Sequence, residues 1–342
     1  MDSPRRWWAL AVLALPTTLL ALDLSVLYLA VPRLSADLRP SGGELLWIID
    51  VYGFMVAGFL ITMGTLGDRI GRRRLLLVGA AAFGLASVLA AYSQTAAMLI
   101  AARALMGVAG ATLAPSTLAL ITNLFRDPRQ RAFAIGVSVS CFMGGAAIGP
   151  LVGGALLARF WWGSVFLLGV PVMLLLLVLG PILLPEYRDP DAGRIDLASV
   201  VLSLLAVLPI VYGVKSLAVT GPGAVPFAAL AAGVVAGAVF LRRQRRLDSP
   251  LLPPKLFRDR GFSGSLVILA LGVATQGGVM LLVGQYLQSV LGMSPLRAGL
   301  WTLPGSPAMI AGALLAPVLA RRVHPRSVVA GAWPSPRPGT SC

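Results

Sequence analysis

Runs of about twenty apolar residues recur along the chain, and no other feature narrows the possible folds so far. A helix needs about 20 such residues to cross the hydrocarbon of a bilayer. Ten candidate spans can be read, over approximately 7–31, 45–66, 75–92, 98–122, 133–157, 162–184, 197–214, 224–241, 262–284 and 298–320. Strands crossing a membrane would be short and would alternate apolar with polar residues, and no such alternation is sustained here. Composition agrees: 57% of the 342 residues are hydrophobic and 12% are charged, against about 25% charged in a soluble domain. A larger core cannot explain that deficit, because a soluble protein must still cover its surface with polar groups. The expected fold class is an all-α polytopic membrane protein with about ten transmembrane helices.

The charges then orient the spans. The formal net charge is +15, which on a soluble chain would suggest nucleic acid. Here 22 of the 28 basic residues fall on one set of connections and at the two ends, five fall on the other set, and Arg103 lies inside a span. Cytoplasmic loops carry the excess of Lys and Arg, so both termini are expected in the cytoplasm, with the chain multi-pass in the cytoplasmic membrane. No nucleic-acid partner is expected. Arg5 and Arg6 ahead of the first run resemble the start of a signal peptide, but the run is too long and contains Asp23, so a retained first helix is expected. Cys141 and Cys342 are the only cysteines. They form neither a disulfide framework nor a metal-ligand spacing, and Cys141 is expected to be a small buried apolar residue.

The most informative polar stretch is GTLGDRIGRRRLLL at 64–77. Gly64, Gly67 and Gly71 allow a tight turn and close helix approach. Asp68 sits among Arg69, Arg72, Arg73 and Arg74, where a charge-assisted network is natural. A second pattern, GGAAIGPLVGG at 144–154, places Gly145, Gly149 and Gly153 on one helix face with Gly154 adjoining. Such a stripe permits close helix packing, and Pro150 favours a kink.

The 64–77 segment resembles the signature loop of the major facilitator superfamily. LIAARALMGVAGA (99–111) is similar to that family's helix-4 motif with an intramembrane Arg, and 144–154 to the helix-5 motif of its antiporters. LDLSVLYLAVP (22–32) resembles the helix-1 motif of the fourteen-helix drug:proton antiporter branch. LWIIDVYGFMVAGF (46–59), FWWGSVFLLGVP (160–171), LFRDRGFS (256–263) and AGLWTLP (298–304) fit the same branch. The resemblance covers roughly residues 10–330 and is nearest to quaternary-ammonium and multidrug efflux proteins. It implies two rocking bundles around a midplane site. It also implies a conformational-switch role for Gly64, Gly67, Asp68, Arg69, Gly71, Arg72 and Arg73. An opening interface, with control of proton leak, is implied at Gly145, Gly149, Pro150, Gly153 and Gly154.

Three charged residues inside spans are candidate coupling or substrate groups. Arg103 is costly at a membrane centre, by about 2.5–3.5 kcal/mol on insertion scales, so it should face a partner or a wet cavity rather than snorkel. A poorly solvated carboxyl group favours its neutral form. That suits Asp23 to carry a proton or anchor a cation, with a structural hydrogen bond as the plain alternative. Asp50, near the outer end of helix 2, is open to two readings, substrate contact or interfacial solvation. Tyr28, Trp47, Tyr52, Phe54 and Phe142 are candidates for an aromatic cavity that attracts organic cations. Trp7, Trp8, Trp161 and Trp162 read as interfacial anchors. Gln276, Gln285 and Gln288 are candidate pathway residues. His324 reads as a solvated loop residue.

The polar linker 185–196 divides six helices from the rest. The expected organisation is a six-helix bundle (1–184), a linker with two extra helices (185–261), the start of a second bundle (262–326) and an aberrant Pro-rich tail (327–342). The apolar pattern stops at that tail, so a C-terminally truncated member with an incomplete second bundle is expected. The 64–77 glycines lack the Lys-Ser/Thr of a nucleotide loop, and no catalytic or metal constellation is evident. No enzyme activity and no cofactor are expected, with a proton gradient as the energy source. The expected function is proton-coupled efflux of lipophilic, cationic drugs or toxic compounds. Export of an endogenous metabolite, or a nonfunctional or regulatory membrane fragment, are the alternatives.

Overall fold

The computed structural model describes residues 3–188, 196–247, 257 and 259–293, with isolated positions 297, 300, 301 and 311. The candidate tenth span, His324 and the tail lie outside the described residues, apart from the isolated positions 300, 301 and 311. The chain runs through α1 (Ser3–Leu38), α2 (Gly42–Ile70), α3 (Arg72–Ala91), α4 (Ala96–Leu124), α5 (Pro128–Arg159), α6 (Ser164–Leu167) and α7 (Gly169–Leu183). It continues with α8 (Leu197–Thr220), α9 (Ala224–Gln244) and α10 (Arg260–Gln285), which ends in a π turn, Tyr286–Val290. Eight spans among the described residues are long and apolar enough to cross a membrane, with α6 and α7 together forming one. The break between those two is at Leu168, three residues before Pro171, which has no N–H to donate to the Leu167 carbonyl.

Most helices run past the apolar windows that announce them. α1 has 36 residues and α5 has 32, beyond the roughly 20 that cross hydrocarbon. Hydropathy reports where lipid is, whereas a helix continues until its hydrogen bonding is capped. The caps are polar. Ser41 and Glu44 form a reciprocal capping box at α2, with the Ser41 N–H donating to Glu44 Oε2 at 2.8 Å and Glu44 N–H donating to Ser41 Oγ at 3.3 Å. Asp127 accepts from Arg129 N at 3.1 Å, with Pro128 in the first turn of α5.

Helices α1–α7 pack as one bundle. Its core holds Leu13, Leu27, Leu34, Ile48, Leu76, Phe83, Met106 and Phe166, all essentially inaccessible. The opposite faces of the same helices are apolar and open: Val78, Leu85 and Leu89 on α3, and Leu174, Val178 and Ile182 on α7. Such faces would be untenable in water, and they match the acyl chains of a bilayer. α8 and α9 form a hairpin that meets the bundle chiefly through α2. At its base, Arg243 grips the Asp196 carboxylate with two bonds of 2.6 and 3.0 Å, and Ser199 and Gln244 extend the chain of bonds. α10 presents exposed or half-exposed side chains wherever these are described.

Four expectations need correction. Trp162 is buried against the core, with its ring N–H donating to Asp37 at 2.8 Å, because the helix turn at 161–164 tucks it inward. Lys215, one residue past the expected span 197–214 and counted among the five basic residues of the sparser set of connections, lies within α8, where Asp50 meets its ammonium. Cys141 is half-exposed rather than buried. Only two of the five cavity aromatics converge: Trp47 and Phe54 line one cavity facing α8, while Tyr28 is exposed, Tyr52 is in the core and Phe142 is half-exposed on α5. The side chains of Gln276, Gln285 and Gln288 lie outside the described residues.

Candidate functional site

The deepest polar feature of the bundle joins α1, α2 and α4. Arg103 is fully buried and Asp23 is 8% exposed. Arg103 Nη1 donates to Asp23 Oδ2 at 2.8 Å, and its Nε donates to the Ile48 carbonyl at 3.2 Å. Its guanidinium carbon lies 4.8 Å from the centre of the Tyr52 ring and 5.8 Å from that of Phe166. A guanidinium whose charge is spread over a plane accepts this surround of carboxylate, carbonyl and ring faces better than a compact ammonium would. Two of the partners follow from helical periodicity: Ile48 and Tyr52, four apart, share the α2 face turned toward α4.

Glycine makes that approach possible. A Cβ at Gly107 would lie 2.6 Å from the Tyr52 carbonyl oxygen, so α4 meets α2 backbone to backbone one turn beyond Arg103. The stripe on α5 seats α1 in the same way. Added carbons at Gly145, Gly149 and Gly153 would collide with the Thr18 carbonyl, Ser25 and Val26. Those contacts bracket Asp23, so the stripe sets the position of the helix carrying the acidic member of the pair. Pro150 lies within α5.

The 64–77 segment resolves into two separate ion pairs. Asp68 meets Arg72 at 2.5 Å. Arg73 turns instead to Glu186, whose Oε1 accepts the Arg73 backbone N–H at 3.0 Å, while Arg73 Nη1 donates to the Leu184 carbonyl at 3.1 Å. The Arg72 N–H donates to the Tyr187 carbonyl at 2.8 Å. Gly71 has φ 111°, a left-handed conformation that favours glycine, and a Cβ there would strike Glu186 at 2.5 Å. Gly67 lies against Arg72, and Gly64 faces Pro115 of α4. Arg69 is in the last turn of α2. Glu186 is the participant that sequence reasoning missed, having been read as part of a linker. Its acidic charge beside a basic loop was the available signal.

Asp50 belongs to a different place. With Trp47 and Phe54 it lies on the α2 face opposite Ile48 and Tyr52, and it contacts the Lys215 ammonium across the seam with α8. The structure therefore joins Asp23 to Arg103 and leaves Asp50 outside that pair.

Membrane-length helices, a buried Asp–Arg pair and a bolted inter-helix loop define a polytopic α-helical protein of transporter architecture. The chain belongs to the Major Facilitator Superfamily, whose family model matches residues 13–335. It is 50% identical over 325 residues to the multidrug efflux pump LfrA of Mycolicibacterium smegmatis, covering 95% of this chain and 64% of that protein. It is 40% identical over 334 residues to the methyl viologen resistance protein SmvA of Salmonella typhimurium, covering 96% of this chain and 66% of that one. The chain thus spans about two thirds of the length of these relatives. Among solved structures it resembles the proton:xylose symporter XylE bound to 6-bromo-6-deoxy-D-glucose, with a TM-score of 0.55 at 16% identity over 93% of this chain and 70% of that one. That likeness is one of fold.

Proposed function

We propose that this chain carries the coupling half of an exporter that moves lipophilic, cationic compounds out across the cytoplasmic membrane in exchange for protons. The observation that carries the reading is the buried Asp23–Arg103 pair. A carboxylate neutralised by a single guanidinium in a poorly solvated core has two ways to change its state: it accepts a proton, or a cationic substrate takes the place of the arginine. Each event releases Arg103, and each excludes the other. Mutual exclusion at one carboxylate is the elementary requirement of antiport. Names of relatives that refer to multidrug efflux and methyl viologen resistance support the substrate class.

In this reading the α5 glycine stripe holds α1 while Asp23 changes charge, and the loop at 64–77 locks one conformation through Asp68–Arg72 and Arg73–Glu186. Both termini are cytoplasmic, in keeping with the basic loops. Residues 1–184 act as the first bundle, 185–261 as an inserted helix pair and 262–326 as the start of the second bundle. Lipid, protons and a small-molecule substrate are the partners, with no cofactor and no enzymatic step. The test is ethidium efflux from proteoliposomes under an imposed pH gradient. Asp23→Asn should abolish gradient-driven efflux. Gradient-driven efflux at the wild-type rate in that variant would remove Asp23 from coupling.

A further inference from the structure

Between α2 and α8 lies a cavity of about 180 Å³ lined by Trp47, Asp50, Phe54, Tyr212 and Lys215. We propose that this cavity is a cage for organic ammonium ions, and that Lys215 occupies it as a tethered cation which such a ligand displaces. The proposal rests on the reading that organic cations are cargo, and adds a site for them outside the Asp23–Arg103 pair.

The lining has the chemistry of cation recognition. Trp47 and Tyr212 stack with centroids 6.2 Å apart and planes at 19°, and Phe54 stands edge-on to Trp47 at 5.8 Å. The Lys215 ammonium contacts the Asp50 carboxylate and lies 5.8 Å from the Phe54 ring centre. One carboxylate with aromatic faces around it is the arrangement by which proteins hold quaternary ammonium groups. The two helices supply it by periodicity. Trp47, Asp50 and Phe54 share one face of α2, and Tyr212 and Lys215 one face of α8. Further along the same seam Gly58 lies against Leu204 and Leu208, so apolar packing docks the hairpin without help from the charge pair.

Lys215 is built to leave. Its side chain is 29% exposed, sits near the end of α8, and carries its charge on a flexible four-carbon stem that can extend toward the interface. Arg103 is the contrast, held at once by a carboxylate and a backbone carbonyl. A purely structural salt bridge would also need no space beside it, whereas this one borders a cavity. When a site is blocked by its own side chain most of the time, apparent affinity falls by the unblocked fraction. Removing the block therefore raises affinity.

The test is equilibrium binding of benzyltrimethylammonium to the full chain in lipid nanodiscs, by calorimetry. Lys215→Met should tighten binding roughly tenfold, as for a cage blocked about nine-tenths of the time. The double variant Lys215→Met/Asp50→Asn should return to wild-type affinity or weaker. Unchanged or weaker binding in Lys215→Met overturns the proposal, as does absence of binding in every variant. A second measurement needs only the wild-type chain. Its lysines are at 215 and 255, so amine acylation at Lys215 can be read by mass spectrometry. Saturating ligand should increase that labelling severalfold, and unchanged or reduced labelling counts against displacement. The efflux test on Asp23 is separate: binding that ignores Lys215 sinks the cage and leaves the coupling reading standing, while wild-type gradient-driven efflux in Asp23→Asn with a Lys215-dependent cage does the reverse.

Discussion

Two aspartate–base pairs sit on opposite faces of α2, and they behave as different objects. On one face Arg103 and Asp23 are sealed, with side chains 1% and 8% exposed, and the guanidinium has further partners in Ile48 and Tyr52. On the other, Lys215 and Asp50 are 29% and 25% exposed and meet beside a cavity. The charges are the same and the surroundings are not. Desolvation makes a sealed pair expensive to open, because either partner alone becomes an uncompensated charge. A pair that is less deeply buried opens at lower cost. The first is therefore suited to switching a whole bundle, and the second to exchange of one cation for another.

Breaking the sealed pair from its basic side should have the largest effect. Arg103→Leu strands the Asp23 carboxylate and should cost roughly 3–5 kcal/mol. Lys215→Met should cost no more than about 1 kcal/mol. Thermal unfolding in nanodiscs, monitored by monomer recovery, compares the two directly. Equal losses would erase the distinction. Adding Asp23→Leu to Arg103→Leu should recover much of the stability and none of the gradient-driven transport.

Next in size is the support of the pair. Gly145→Ala should destabilise by about 1–3 kcal/mol through overpacking against the Thr18 backbone, because that contact lies within the helix–helix interface. Gly144→Ala, one residue away with nothing within 4 Å, should fall within about 0.5 kcal/mol of wild type. The same unfolding measurement reads both, and equal effects would mean that α1 and α5 are not in this contact.

The smallest effect belongs to the hairpin base. Arg243, with Ser199, holds the Asp196 carboxyl well below its ordinary value of 3.8. A depressed carboxylate stabilises fully above its unfolded value and loses that contribution as pH falls through the folded one. The opening equilibrium at the start of α8, obtained from hydrogen exchange corrected for the intrinsic pH dependence of amide exchange, should therefore be flat from neutral pH down to about 5 and rise only in stronger acid. Asp196→Asn should raise it at neutral pH. A wild-type rise already present near neutral pH would contradict the latch.

Much of the fold was readable in advance because lipid imposes it. Span positions, the all-α class and the signature segments follow from hydropathy and glycine spacing, and the described helices lie where they were expected. Span ends were read short, since Ser41, Asp127 and similar caps extend helices into polar sequence. Lys215 falls one residue outside the expected span because a charge near the end of a span looks like a loop charge until its partner is known, whereas Arg103 lies well inside its span. Glu186 was passed over as linker, because only packing brings it to Arg73.

By itself, then, the sequence determined that this protein is a helical bundle in lipid with Asp23, Asp50 and Arg103 inside it, since the cost of burying charge and backbone in hydrocarbon is written residue by residue. Only the tertiary structure decided that Arg103 takes Asp23 and that Asp50 is left to Lys215. That choice depends on which faces of α2 meet α4 and α8, and those faces are set by glycine contacts between helices far apart in the chain.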